Sequence, residues 1–286
     1  MKTYLDCIPC FMQQALRAGR IATTDEAQIK KILDNTAAMV SNIPMQSTPA
    51  QTGMKVYDIV SQVSSVEDPY KAIKTKHIQQ TKAIYPQLEE LVKKSEDKLL
   101  TAIKVAIAGN IIDLGVNMHF DLVNDVQIIL KQDFAILDYQ AFKIQLEKAD
   151  FVLYIGDNAG ESVFDKILIK QLGKPVKYVV RSAPIINDVT MEDAIASGLD
   201  KVADIIESGS KSPGIILELS SPEFIELFQK ASMVISKGQG NYEGLSDCSR
   251  TVFFLLKAKC AVISKHLGVA EGSIVMKEHI PQADKE

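Results

Sequence analysis

Apolar positions recur along this chain in two rhythms, and the change between them falls close to Ala149. Upstream the spacing is helical. In TTDEAQIKKILDNTAAMV, the residues Ile29, Ile32, Leu33 and Val40 share one face, and Thr23 and Glu26 stand at capping-box distance. Pro44, Pro49, Pro69 and Pro86 fall where helices are expected to begin or end. SEDKLLTAIKVAIAGN reads as another helix that stops near Gly109. FDLVNDVQIILKQDFAILDYQAFKIQLEKAD holds a further pair of helices with no legible boundary.

Beyond Ala149 short apolar runs alternate with helical segments. FVLYIG precedes ESVFDKILIKQLG, and PVKYVV precedes a loop and MEDAIASG. GIILEL precedes SPEFIELFQKA, SMVISKG leads into a glycine-rich loop, and TVFFLLK and CAVISKHLG close the series. GIILEL is read as a strand, although Glu218 and Ser220 equally suit the start of a loop. This order predicts an α/β protein with a Rossmann-like, doubly wound, mostly parallel sheet. The runs are nearly continuous rather than alternating, as in strands covered on both faces. A helical region over residues 1–108 is expected to pack on an α/β core over residues 109–286, which also takes in helices within 119–149. No linker or repeat separates the two.

Glycine use marks the same change. Between Ile21 and Ala108 the only glycine is Gly53, whereas eleven follow from Gly156 onward, where tight strand-to-helix turns are expected. Hydrophobic residues make up 47% and charged residues 24% of the 286, the balance of a globular chain with a sizeable core. The net charge of −4, without a dense Lys/Arg block, argues against nucleic acid or an anionic membrane as partner. The start MKTYLDCIPC lacks an apolar signal core, and no run approaches the roughly 20 apolar residues of a spanning helix. The four cysteines are too few for a disulfide framework, so a cytoplasmic location is expected.

In an open α/β sheet, ligands bind beyond the carboxyl ends of the strands. There the first predicted strand is followed by Asp157, Asn158 and Glu161. The second is followed by Arg181, Ser182, Asn187 and Asp188, and a later one by Lys237, Gly238, Gln239, Gly240 and Asn241. Carboxylates with an amide oxygen make a hard, all-oxygen shell suited to Mg²⁺ or Mn²⁺. Lys237 offers a compact positive charge and GQGN an accessible backbone, which together with a metal would serve phosphoryl transfer. Each piece has a plainer reading. Asp157 or Asn158 could cap the helix that follows, Asp188 could cap the next one, Arg181 and Lys237 could be surface charges, and GQGN could be only a turn.

GDNAGE, RSAPIINDVT and SKGQGNYEGL, in that order, together with AGNIIDLG (Ala108 to Gly115) and the N-terminal CIPC, resemble the prokaryotic branch of the metal-dependent damage-control phosphatases. That family was first described as domain-of-unknown-function family 89. The resemblance spans nearly the whole chain. It implies a helical N-terminal region on a Rossmann-like core, and cobalt-, nickel-, manganese- or magnesium-dependent hydrolysis of small phosphorylated metabolites, such as sugar phosphates or damaged cofactor intermediates. It implies Asp157, Asn158 and Asp188 as metal ligands, Lys237 as the phosphate-binding lysine, and Asn241 and Glu161 in the same site, with Asn110 and Asp113 at the rim. No DxDx signature or Cys-x5-Arg loop suggests a covalent phospho-enzyme.

Cys7-x-x-Cys10 lacks the second pair that zinc needs, so reduced, structural thiols are expected. His119, just after GNIIDLG, is a further candidate near the site, whereas His77, His266 and His279 suggest no ligand set. Two other functions fit the same strand-end rule: an S-adenosylmethionine-dependent methyltransferase, whose GxGxG loop is nevertheless missing, and a non-catalytic metal- or nucleotide-binding module. Substrate identity and oligomeric state are not encoded in these patterns.

Overall fold

A computed structural model describes residues 1–109 and 122–281, with residues 122–125 by backbone alone. The chain opens with five helices: α1 (Cys7–Ala22), α2 (Glu26–Val40), α3 (Pro49–Ser64), α4 (Lys71–Lys94) and α5 (Lys98–Ala108). Asp25 rather than Thr23 caps α2: its carboxylate accepts from the amide of Ala27 at 2.8 Å, while Thr23 Oγ1 accepts from the Asp25 amide. Pro49 starts α3 behind a capping box of Thr48 and Gln51, as its fixed φ favours. Pro86 lies inside α4 instead of ending it. Tertiary packing holds the helix across the missing N–H, since Leu88 and Val92 beyond it are buried in the core below the sheet.

The remaining elements are α6 (Leu122–Lys131), β1 (Phe134–Leu137), α7 (Tyr139–Lys148), β2 (Val152–Ile155), α8 (Ser162–Leu172), β3 (Val176–Val180), α9 (Met191–Ser197) and β4 (Asp204–Glu207). They are followed by α10 (Pro222–Lys230), β5 (Met233–Lys237), α11 (Gly238–Leu245), β6 (Val252–Lys257), α12 (Ala261–Leu267) and β7 (Ile274–His279). Seven strands form one sheet in the order β1-β7-β6-β5-β2-β3-β4, parallel except for the β6–β7 pair. The α/β class and mostly parallel sheet are as the alternating pattern predicts.

Further local expectations change. Strand β1 lies within a stretch read only as helices. GIILEL is not a strand: Ile215 and Ile216 are buried against α11, the Ile215 amide donates to Asn241 Oδ1, and a short 3₁₀ turn follows at Leu217–Leu219. The strand in that part of the chain is β4. GQGN, finally, is not merely a turn but the first residues of α11.

Alternate residues of the central strands face opposite cores, the period-2 consequence of a pleated strand. Val152, Tyr154, Tyr178, Ile235 and Phe253 join Leu88, Ile103, Ile107 and Phe164 on one side. Leu153, Ile155, Val179, Val234 and Phe254 join Phe224, Phe228, Tyr242 and Ile263 on the other. The earliest helices therefore divide their roles. Helices α4 and α5 cover one face of the sheet, whereas α1, α2 and α3 close a separate core around Phe11, Ile32, Val56 and Tyr70.

From β2 the chain winds outward through β3 and β4, then returns to lay β5 on the other flank of β2. The crevice between β2 and β5 is thus the point where the winding direction reverses, the expected ligand position in this architecture.

Candidate active site

Three strand ends meet above that crevice, and close backbone approaches hold them there. Gly156 follows β2, and a Cβ on it would stand 2.4 Å from the Tyr178 hydroxyl. Asp157 comes next, directly against Gly238 at the end of β5. Gly238 has φ +77°, and a Cβ on it would stand 1.9 Å from Asp157 Oδ2. The loop after β3 is joined to the loop after β2 through the backbone. Val189 N donates to Asp157 O and Ala159 N donates to Asn187 O, both at 2.8 Å, and Asn158 pairs with Asp188 as an isolated antiparallel bridge. Ile186, a β-branched residue at φ +44°, marks backbone strain just before Asp188.

Neither capping alternative describes these side chains. Helix α8 starts at an N-cap, Glu161, that makes no side-chain cap bond, and α9 is capped by a box of Thr190 and Asp193. Asp157, Asn158 and Asp188 instead line a cavity of about 470 Å³. Its lining also includes Phe11, Arg17, Tyr57 and Tyr70 from the opening part of the chain, together with Lys259 and Cys260.

Asp157 and Asp188 are both buried. Burial, then repulsion from Glu161 and Asp188, pushes the Asp157 carboxyl up to about 8. Burial also raises Asp188, partly offset by Arg181, whose Nε donates to Asp188 Oδ2 at 2.8 Å. Arg181 Nη2 donates to Asn241 Oδ1 at 3.0 Å, and its buried Nη1 has no hydrogen-bond partner. Among the described residues no three His, Cys, Asp or Glu side chains converge as a ready-made metal cluster. The two carboxylates and one carboxamide nevertheless form an all-oxygen set whose mutual repulsion favours a cation.

The other predicted residues take distinct positions. Lys237 is fully buried and donates to Glu161 Oε1, to Asp165 Oδ1 at 2.8 Å and to the Ala106 carbonyl at 2.9 Å, so each of its three protons faces a protein oxygen. Asn241 is also buried, and both ends of its amide are engaged: Nδ2 by Gly156 O and Lys237 O, Oδ1 by Arg181 and Ile215 N. Ser182 is exposed and accepts from Gly209 N at 2.7 Å, joining the β3 and β4 loops. Asn110, Asp113 and His119 lie outside the described residues. Cys7 and Cys10 line the cavity as free thiols, and burial pushes the Cys7 thiol up. Sequence reading missed Asp165, Arg17 and Lys259. Asp165 had a signal, a carboxylate four residues after Glu161 on the face of α8 that continues through Leu168 and Leu172.

A pH dependence follows from the raised carboxyls. A folded-state value above the unfolded one means that the native protein holds a proton the unfolded chain has already released. For Asp157 that interval runs from 3.8 to about 8, and Glu243 at the cavity wall is lifted the same way to about 7. The urea midpoint of metal-free protein should therefore fall as pH rises from about 5 to about 8, and Asp157→Asn should flatten the upper part of that decline. A midpoint rising through the interval would contradict the electrostatics described here.

A family model described as "Damage-control phosphatase ARMT1-like domain" matches residues 3–275. A damage-control phosphatase of Pyrococcus horikoshii is 32% identical over 282 residues, covering 96% of this chain and 97% of that one. A damage-control phosphatase of Archaeoglobus fulgidus is 32% identical over 281 residues, covering 95% and 97%. The crystal structure of a DUF89 family protein from Pyrococcus horikoshii superposes with a TM-score of 0.87 at 32% identity, covering 98% of this chain and 99% of that one.

Proposed function

The chain belongs to the damage-control phosphatase family, and from that premise we propose that it is a divalent-metal-dependent hydrolase of small phosphorylated metabolites, either sugar phosphates or damaged cofactor intermediates. The observation that carries this reading is the pair of buried carboxylates, Asp157 and Asp188, beside the Asn158 amide on the floor of one cavity. Those three residues would hold the metal, with manganese, magnesium, nickel and cobalt as candidates. When bound, the metal supplies Lewis-acid polarisation of a phosphoryl oxygen and a more acidic water.

The protein's own contribution is positioning and charge. Arg181 holds Asp188 in place through Nε and is itself tied to Asn241 through Nη2. Arg17 and Lys259 add positive charge around the cavity, which suits a phosphorylated substrate. Lys237 lies behind the carboxylates and holds Glu161, so its direct contact with phosphate would require one of its three protein partners to be displaced. A cavity of about 470 Å³ suits a monosaccharide-sized phosphate ester. The loop after β2 does not favour a methyltransferase, because Gly156 and Gly160 make room for Tyr178 and His77, not for a cofactor.

The test is turnover of sugar phosphates, nucleotides and phosphopantetheine compounds with each metal in turn. Phosphate release that disappears with chelator and returns with metal is expected. Release indifferent to chelator overturns the metal dependence, and no release from any ester overturns the phosphatase reading.

A further inference from the structure

Two of the three metal-ligand candidates, Asn158 and Asp157, rest on a buried polar column. Tyr154 and Tyr178 are in register on β2 and β3, with their rings stacked at 5.3 Å. Both hydroxyls donate to Asp165, Tyr154 to Oδ1 at 2.7 Å and Tyr178 to Oδ2 at 2.8 Å. Asp165 also accepts from Lys237, which in turn donates to Glu161 Oε1. The other oxygen of Glu161 accepts from Asn158 Nδ2 at 3.2 Å, and the same nitrogen donates to Asp157 Oδ2 at 3.0 Å. Glu161, Asp165, Tyr154, Tyr178 and Lys237 are all fully buried, so no solvent competes along the column.

The end of the column has a chemical consequence. Glu161 is ion-paired with Lys237, and a carboxylate only accepts hydrogen bonds, so the side of the Asn158 amide that faces Glu161 must be its nitrogen. The carboxamide oxygen is thereby left as the atom available at the cavity. The other end controls how firmly this holds. One ammonium is shared by two carboxylates, and the two phenols disperse the charge on Asp165. Without them Asp165 draws Lys237 more strongly, Glu161 loses its hold, and the amide of Asn158 is free to turn.

We propose that Tyr154, Tyr178 and Asp165 are positioning residues, which fix the Asn158 carboxamide oxygen toward the cavity through Lys237 and Glu161. The inference rests on the metal-dependent reading above and deepens it. Tyr154→Phe and Tyr178→Phe keep the stacked rings and remove only the hydroxyls. The measurement is calorimetric Mn²⁺ binding to the metal-free forms of the parent and both variants. Phe142→Leu, which disturbs the ring pair with Phe253 in the same core, serves as a control for general destabilisation. Each hydroxyl deletion should weaken Mn²⁺ binding by about 10-fold, in the range seen for residues that orient metal ligands, while Phe142→Leu leaves it unchanged. Equal affinity in parent and hydroxyl variants overturns the positioning role and leaves the metal reading intact. An equal loss in Phe142→Leu also overturns the positioning role, because it assigns the effect to general stability. A parent protein that binds no Mn²⁺ overturns the metal reading and the positioning role together.

Discussion

Asp157→Asn should produce a protein that is harder to unfold without metal than its parent and that has lost more than about 100-fold in turnover. The lower bound comes from ligand-orienting residues, whose loss alone costs about 10–100-fold. Both effects have one origin. The Asp157 carboxyl is buried against Glu161 and Asp188 and is lifted to about 8, so its ionised form is disfavoured at neutral pH. The isosteric amide removes that repulsion and can still pair with its neighbours, a gain on the order of 1–3 kcal/mol. It also removes the charge that a metal needs. Chelated parent and variant can be compared by urea midpoint, and turnover measured at saturating metal. A variant that is both less stable and fully active would refute the assignment of Asp157.

Gly238→Ala should have a comparably large effect through geometry alone. At φ +77° a side chain carries a conformational penalty of about 1–2 kcal/mol. The new methyl would also stand 1.9 Å from Asp157 Oδ2 and 2.2 Å from its Cγ. The Asp157 main chain is held by Val189 N, so relief comes mainly from turning the carboxylate away from the cavity. Gly268→Ala provides the matched comparison: its φ is +71°, but nothing lies within 4 Å of the added carbon. Gly268→Ala should lower stability by about 1–2 kcal/mol and leave turnover unchanged, whereas Gly238→Ala should reduce turnover by more than about 100-fold, as loss of a ligand does. Similar turnover in the two variants would show that the contact with Asp157 does not matter.

The central part of the fold was legible because β2, β3, β5 and β6 are almost wholly buried on both faces and their sequences are correspondingly dominated by apolar residues. The strands that escaped detection lie away from that centre. β1 and β4 are edge strands with partly exposed residues, and DIIE begins and ends in carboxylates. β7 runs antiparallel to β6 and finishes in Lys277, Glu278 and His279, outside the βαβ rhythm. GIILEL misled because burial against a helix produces the same apolar run as burial in a sheet.

At the site, the strand-end rule brought Asp157, Asn158 and Asp188 into view, and the structure gathers them at one cavity. It could not reveal that Lys237 and Asn241 have their polar atoms engaged within the protein, because a strand-end position does not say which way a side chain turns. Nor could the rule find Arg17 or Lys259. Arg17 approaches the cavity from a separate helical core, and Lys259 lies beyond β6, at a strand end that drew no attention.

The two parts of the cavity lining have different ancestry within the chain. Asp157, Asn158 and Asp188 come from loops stitched together over the sheet, whereas Phe11, Arg17, Tyr57 and Tyr70 come from the opening helices and the turn before α4. The part that would handle the phosphoryl group and the part that would recognise what it is attached to can therefore diverge separately. Substitutions confined to α1 and α3 could readdress such an enzyme to another metabolite while its chemistry stays unaltered.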